Sequence, residues 1–252
     1  MNILYVILSG IVFKDTRNIW AQETWIKEIG GNDDYAFLEG KEDSSRKVLG
    51  FNTPEGHFTS YLKLRGFYLH YYENKEMYKD YEWFFFADSD TYVMPKRAKE
   101  LLKSYSPESK SPMFIGRLNM LPNSQNPKSG PGAFGGETKT QIIPYLCNRV
   151  PSGPWFCHSG GSGWALNKSA VEIMSNYLVE CGERFPWSQH YDLAHALWLN
   201  DCDIPMMHSR LFRSEQKHRQ EEFCDYLDDN VVTYHYMNEQ DFYGLYSELK
   251  EK

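Results

Sequence analysis

Two aspartates one residue apart, Asp88 and Asp90, follow the apolar run Trp83-Phe-Phe-Phe-Ala87. Close carboxylates repel unless something neutralises one of them, and a hard divalent cation is a natural occupant of such an oxygen pair. The pair also suits a turn or helix cap, because Asp and the intervening Ser89 are turn formers. His235 lies in the aromatic stretch Val231-Val-Thr-Tyr-His-Tyr236. Its imidazole is acceptable to manganese-type cations beside carboxylates, and it fits equally a core histidine with a satisfied ring nitrogen. Asp192, in His190-Tyr-Asp-Leu-Ala-His195, has the chemistry of a general base and also that of a first-turn acid facing a helix dipole. The run Gly160-Gly-Ser-Gly163 lets backbone approach a ligand closely, at Gly161 in particular. It lacks the lysine and spacing of a P-loop, which argues against a nucleoside triphosphatase. Lys63, on a stretch otherwise dominated by rings, is either a cation with reach for a diphosphate or a solvated surface lysine.

Elements must bring these groups together. Ile3 to Val12 reads as a strand, followed by a helix over about 16–29 in which Ile19, Trp20, Glu23 and Ile26 share a face. Tyr35 to Leu38 reads as a short strand. Asn52-Thr-Pro offers a cap and a first-turn proline for a long helix over about 54–74, with Phe58, Tyr61, Leu62, Tyr68, Leu69 and Tyr72 at helical spacing. Trp83 to Ala87 has the continuous apolar character of a strand buried on both faces. This alternation predicts an open, mixed but mostly parallel α/β sheet flanked by helices, whose ligands bind beyond the carboxyl ends of the strands. The acidic pair stands at such an end. Further on, Pro95 to Ser104 reads as a helix and Met113 to Gly116 as a strand. Residues 117–136, rich in proline and glycine, read as a long loop. Asn167 suits a cap ahead of a helix from Ser169 to Leu178, and a second helix is expected over His190 to Leu199. Arg213 to Asp229 reads as exposed, Val231 to Tyr236 as strand-like, and the terminus as a short helix.

The chain has 252 residues, with 27 Lys+Arg against 34 Asp+Glu and a formal charge of −7. That balance argues against nucleic acid or an anionic membrane as the main partner, because both require clustered positive charge. Hydrophobic residues make up 41% and aromatics 16%, enough for one sizeable core and unlike a disordered chain. The most apolar stretch, Ile3 to Phe13, is far shorter than the roughly 20 residues that span a bilayer. It also lacks the charged start and cleavage site of a signal peptide. Cys147, Cys157, Cys181, Cys202 and Cys224 form no CxxC pair, and either late disulfides or buried thiols are compatible with them.

Taken in order, the motifs resemble glycosyltransferase family 31, the group of the fringe proteins and the core 1 β1,3-galactosyltransferase. The pattern comprises Arg17 with Glu23-Thr-Trp25, Lys63, Trp83 to Val93 with its DxD, Gly160 to Leu166, Tyr191 to His195, and Thr233 to Tyr236. It runs from about residue 3 to residue 246. The resemblance implies a single GT-A domain, with about 1–116 forming the nucleotide-sugar and metal half and about 117–252 the acceptor and base half. It implies inverting transfer of a hexose or N-acetylhexosamine from a UDP-sugar to a glycan or glycoprotein hydroxyl, with Mn2+ or another divalent cation bridging the diphosphate and a β1,3 linkage formed. In that scheme Asp90 and His235 are metal ligands, and Asp88 supports the metal and ribose side. Asp192 is the base, while Arg17 and Lys63 lie near the diphosphate and donor entrance. Ser89 and Tyr191 stand where the family carries acids, and the segment 117–157 is longer than in core 1 enzymes. A Golgi lumen is expected for a catalytic domain freed of its anchor, and a cytoplasmic setting for a group that works without one.

Two other classes compete. A haloacid dehalogenase-type phosphatase also begins with a strand ending in DxD, but it wants Thr or Val where this chain has Tyr92. An inactive GT-A domain acting as a lectin-like or chaperone module would have no physical need to keep Asp88, Asp90, Asp192 and His235 together. Trp155, Phe156, Trp164, Trp187 and Tyr236 are expected as an aromatic rim for a sugar acceptor.

Overall fold

The computed structural model describes residues 1–56, 59–105, 111–121, 155–182, 190–216 and 230–251. Strand β1 (Ile3–Leu8) leads through a 3-10 turn at Ile11–Phe13 into helix α1 (Arg17–Glu23). β2 (Asp34–Glu39), β3 (Val48–Gly50), α2 (Ser60–Glu73) and β4 (Trp83–Asp88) follow. Next come β5 (Tyr92–Val93), α3 (Pro95–Ser104), β6 (Phe114–Gly116), β7 (Leu118–Leu121) and β8 (Trp155–His158). The chain closes with β9 (Trp164–Asn167), α4 (Lys168–Cys181), α5 (Tyr191–Asp201), β10 (Met206–His208), β11 (Thr233–Tyr234) and α6 (Glu239–Lys250).

The main sheet has the order β10-β6-β9-β4-β1-β2-β3, with β9 antiparallel to both neighbours and the remaining pairs parallel. From β1, an interior strand beside the central β4, the chain moves outward to β2 and β3, then returns to β4 on the other side of β1. The strand order therefore reverses between β1 and β4, where such sheets open a crevice for ligands. Register places Leu8 opposite Asp88 at the carboxyl ends of those two strands. β9 and β10, from the later part of the chain, join the same sheet, so one architecture holds the described residues together.

Strand periodicity divides the core. Ile3, Tyr5, Ile7, Trp83, Phe85 and Ala87 pack on one side with Trp25 and with residues of α3 and α6. Leu4, Val6, Leu8, Phe84 and Phe86 pack on the other with residues of α2, α4 and α5. Both faces are covered, which is why β1 and β4 read as unbroken apolar runs. α3 begins at Pro95, which occupies a first-turn position as expected. Asn167 caps α4 by accepting from the Ala170 amide.

Besides the first strand, which ends at Leu8 rather than Val12 because Val12 sits exposed in the 3-10 turn, three expectations need correction. The first helix stops at Glu23, where the buried Thr24 leaves helical dihedrals (φ −115°, ψ −106°) before a 3-10 segment at Trp25–Glu28. Asn18, Ala21, Trp25 and Ile26 are buried there, whereas Ile19 is exposed. Second, α2 starts at Ser60 and turns Lys63, Leu64, Phe67, Tyr68 and Tyr71 inward while Tyr72 is exposed. This helix is wedged between the sheet and helices α4 and α5, so its buried stripe answers to three neighbours. The long-loop reading from Arg117 is broken by β7, which pairs with β8. Residues 57–58, 122–154, 183–189 and 217–229, with the remainder of that loop and of the charged segment from Arg213, lie outside the described residues.

Candidate active site

The DxD turn begins where β4 ends. Ser89 N donates to Leu8 O at 3.0 Å, and β5 follows immediately. β5 pairs antiparallel with β11, matching Tyr92 to Tyr234 and Val93 to Thr233. This pairing carries His235 to Asp90 across a long sequence separation: His235 Nε2 lies 3.4 Å from Asp90 Oδ1, and Met237 N donates to Asp90 O at 3.0 Å. Asp88, Asp90 and His235 each offer a ligand atom, all within 4.8 Å of one another.

The glycine run lies beneath this trio. Thr91 Oγ1 donates to Gly161 O at 2.7 Å and Thr233 Oγ1 to Ser162 O at 2.6 Å, so the β5–β11 pair fastens the turn by its carbonyls. A Cβ at Gly161 would fall inside the His235 ring, and one at Gly160 would fall on the Tyr191 hydroxyl. The two glycines thus clear space for side chains of the site rather than only for a ligand. Tyr236 has a left-handed backbone, φ 57°, and its ring centroid lies 3.7 Å from that of His235.

A cavity of about 490 Å³ opens over these groups, lined by Ser9, Phe13, Arg17, Glu55, Lys63, Asp88, Ser89, Asp90, Tyr191, His235 and Tyr236 among others. Arg17 Nη1 is 3.3 Å from Asp90 Oδ2, and its guanidinium lies 4.2 Å from the Phe13 ring centroid. Lys63 is buried, donating to Ser9 O at 2.7 Å and to Glu55 Oε2 at 2.6 Å. It is therefore neither a solvated lysine nor an uncommitted cation. Glu55, which no sequence signal marked, also accepts from Gly40 N at 2.7 Å and ties the end of β2 to the same wall. Beneath Arg17, buried Asn18 accepts from Ser9 Oγ at 2.6 Å and donates to Glu39 at 2.9 Å, which holds α1 against the strand ends.

The two acids differ. Burial and the neighbouring Asp90 charge push Asp88 up to about 7. Burial also opposes ionisation of Asp90, but its hydrogen bond with His235 and the Arg17 charge hold it below the usual carboxylate range. The same bond raises His235 against the effect of burial. Two half-buried carboxylates with one imidazole form an oxygen and nitrogen donor set suited to a manganese-type cation, whose charge would offset both the burial and the Asp90 repulsion that raise Asp88.

Asp192 stands in the first turn of α5, beside Tyr191 and outside the residues that line the cavity, with its carboxylate accepting from Leu193 N at 2.9 Å. Burial raises its pKa, and its charge is felt at Asp88 and Tyr236. Tyr191 donates its hydroxyl to Asp88 Oδ1 at 2.7 Å. Of the expected aromatic rim, Tyr236 lines the cavity and is 56% exposed, and Phe156 is 43% exposed but is not among the residues that line it. Trp164 is a correction: it is fully buried and stacks on Phe86 with ring centroids 5.2 Å apart, because β9 pairs Trp164 with Phe86 inside the sheet. Trp187 and the Trp155 side chain lie outside the described residues.

Behind the site, Tyr68, His195 and His158 form a buried chain, with Tyr68 Oη 2.7 Å from His195 Nε2 and His195 Nδ1 2.9 Å from His158 Nε2. Burial drives both imidazoles down, His158 to about 3. A depressed histidine costs no stability at neutral pH. Below the unfolded value of about 6.5, the unfolded chain gains protons that the native chain excludes, so stability is expected to fall by about 1.4 kcal/mol per pH unit for each group. Urea denaturation at pH 7, 6 and 5 measures this, and a slope that shrinks in His195→Gln assigns it to the pair.

Comparisons with known proteins place the chain. A family model described as "Fringe: Fringe-like" matches residues 2–249. A Xenopus laevis glycoprotein-N-acetylgalactosamine 3-beta-galactosyltransferase 1 is 27% identical over 118 residues, which is 46% of this chain and 31% of that protein. The match thus spans about a third of that relative's length. In fold, the chain is similar to a glycosyltransferase involved in glycosylation of the major capsid of PBCV-1, with TM-score 0.51, 16% identity and coverage of 97% and 99% of the two chains. It is also similar to the WbbM bifunctional glycosyltransferase, with TM-score 0.55, 12% identity and coverage of 96% of this chain and 49% of that one. The architecture is that of GT-A glycosyltransferases, a mostly parallel mixed sheet flanked by helices in one domain. Among the described residues no helix is long and apolar enough to cross a membrane.

Proposed function

Because the chain belongs to the Fringe-like family, we propose that it transfers a hexose or N-acetylhexosamine from a UDP-sugar to a sugar hydroxyl of a glycan or glycoprotein, with inversion and with a divalent cation, Mn2+ first. The observation that carries the reading is the convergence of Asp88, Asp90 and His235 in the cavity at the β1–β4 switch point. A β1,3 linkage and a galactose donor are supported by the likeness to the Xenopus laevis 3-beta-galactosyltransferase, with N-acetylglucosamine as the alternative donor.

The residues divide the work. Asp90, His235 and Asp88 would hold the cation, which when bound supplies neutralising charge for a departing diphosphate. Arg17 adds positive charge on the same side. Lys63, anchored by Ser9 and Glu55, presents its ammonium on the cavity wall at a set position, and Ser89 lines the cavity between the two acids. Asp192 takes the proton of the acceptor hydroxyl while that oxygen bonds to the anomeric carbon. The bond from that carbon to the diphosphate oxygen breaks in the same step. A single in-line displacement inverts the centre. Tyr236 offers ring surface to the apolar face of a sugar.

A panel of nucleotide sugars with Mn2+ tests this by thermal shift and by hydrolysis of the donor. One UDP-sugar is expected to stabilise the chain by about 2.7 kcal/mol at a hundredfold excess over its dissociation constant. Hydrolysis of that sugar should fall to background in chelator and return with Mn2+. Absence of any response to UDP compounds would remove the reading.

A further inference from the structure

We propose that Tyr191 is a positioning residue, holding the Asp88 carboxylate in its cation-binding orientation and tying the metal centre to the helix that carries Asp192. This rests on the metal-dependent reading above. The Tyr191 hydroxyl donates to Asp88 Oδ1 at 2.7 Å, across 103 positions of sequence. Its ring is buried and packs on Trp164, with centroids 5.8 Å apart, and Trp164 stacks on Phe86, two residues before Asp88. The phenol is thus braced against the strand whose carboxylate it holds. Gly160 leaves the hydroxyl its room, since a Cβ there would collide with it.

The acids are held by different chemistry. Asp90 has two basic partners, Arg17 and His235. Among the described residues no Lys or Arg lies within ion-pair distance of Asp88. A neutral donor fixes a carboxylate's direction without cancelling its charge, so Asp88 stays available to a cation. Partners of this kind, one bond removed from the metal, commonly govern affinity by tenfold to a hundredfold. The other end of the tether is equally fixed. One turn along α5, His195 is bound to Tyr68 of α2 and His158 of β8, so the helix start that bears Tyr191 and Asp192 has little freedom to drift.

Mn2+ binding in the presence of UDP, followed by the electron paramagnetic resonance of free Mn2+, provides the test. Tyr191→Phe removes one oxygen and keeps the ring, and it is expected to weaken Mn2+ binding about tenfold or more. In an Asp88→Asn background the same change should add nothing, an outcome that a tyrosine acting only in packing would not produce. Gly160→Ala, which crowds the hydroxyl away from Asp88, is expected to reproduce the loss and serves as an independent arm. Native-like Mn2+ affinity in Tyr191→Phe, or losses that simply add in the double variant, would overturn the positioning role. Absence of Mn2+ binding by the native chain would overturn the metal reading and this role together.

Discussion

Asp192→Asn is expected to lower sugar transfer by about 10²–10⁴-fold while leaving Mn2+ and UDP affinity unchanged. The split follows from where the side chain sits. Asp192 is in the first turn of α5 and outside the residues that line the cavity, so its removal leaves Asp88, Asp90, His235, Arg17 and Lys63 in place. The amide keeps the shape and the capacity to accept from Leu193 N, so the fold should survive. It lacks the ability to take a proton. Burial raises the Asp192 pKa, which brings its basicity closer to what proton abstraction at neutral pH requires. The sign is definite: the base must be ionised, so transfer should fall as pH drops through the raised pKa and level off above it. Initial rates against donor and acceptor, with isothermal titration of UDP and Mn2+, separate the two effects. Loss of UDP and Mn2+ binding in this variant would show that Asp192 is a structural acid of the helix start.

Gly161→Ala is expected to damage the fold and the Asp88–Asp90–His235 group together. The added carbon would occupy the His235 ring, and the backbone on both sides is fastened by Thr91 and Thr233, so neither partner can retreat cheaply. Overpacking of this kind costs about 1–3 kcal/mol. Relief requires His235 to swing away from Asp90, which removes the imidazole from the ligand trio. The expected result is a lower unfolding midpoint together with Mn2+ binding reduced at least as far as in His235→Ala. Gly163→Ala is a useful contrast, because its cost comes from a φ of +76° rather than from the histidine. It should destabilise with a smaller effect on Mn2+ binding. Equal metal loss in both variants would assign the effect to general unfolding.

The legible parts of the sequence were those in which local pattern and tertiary role coincide. β1 and β4 are apolar on both faces because both faces are covered, and Pro95 and Asn167 mark helix starts through their own backbone chemistry. Residues whose neighbours are distant were read less well. Lys63 suggests a free cation until Ser9 and Glu55 are seen to hold it. Trp164 suggests a sugar platform until β9 is seen to insert it against Phe86. Glu55 carries no periodic or motif signal, since its importance lies in Gly40 and Lys63, residues to which it is joined only by the fold.

By itself the sequence determined the alternating α/β class, the acidic pair at a strand end and the order of the family motifs, because each is written in neighbouring residues or short periodicities. Tertiary structure alone decided that His235 meets Asp90, that Tyr191 bonds Asp88 and that Gly160 and Gly161 make room for those two side chains. The physical reason is that the site is assembled by the reversal of strand order at β1 and β4 and by the β5–β11 pairing, which bring together segments whose local chemistry contains no record of their partners.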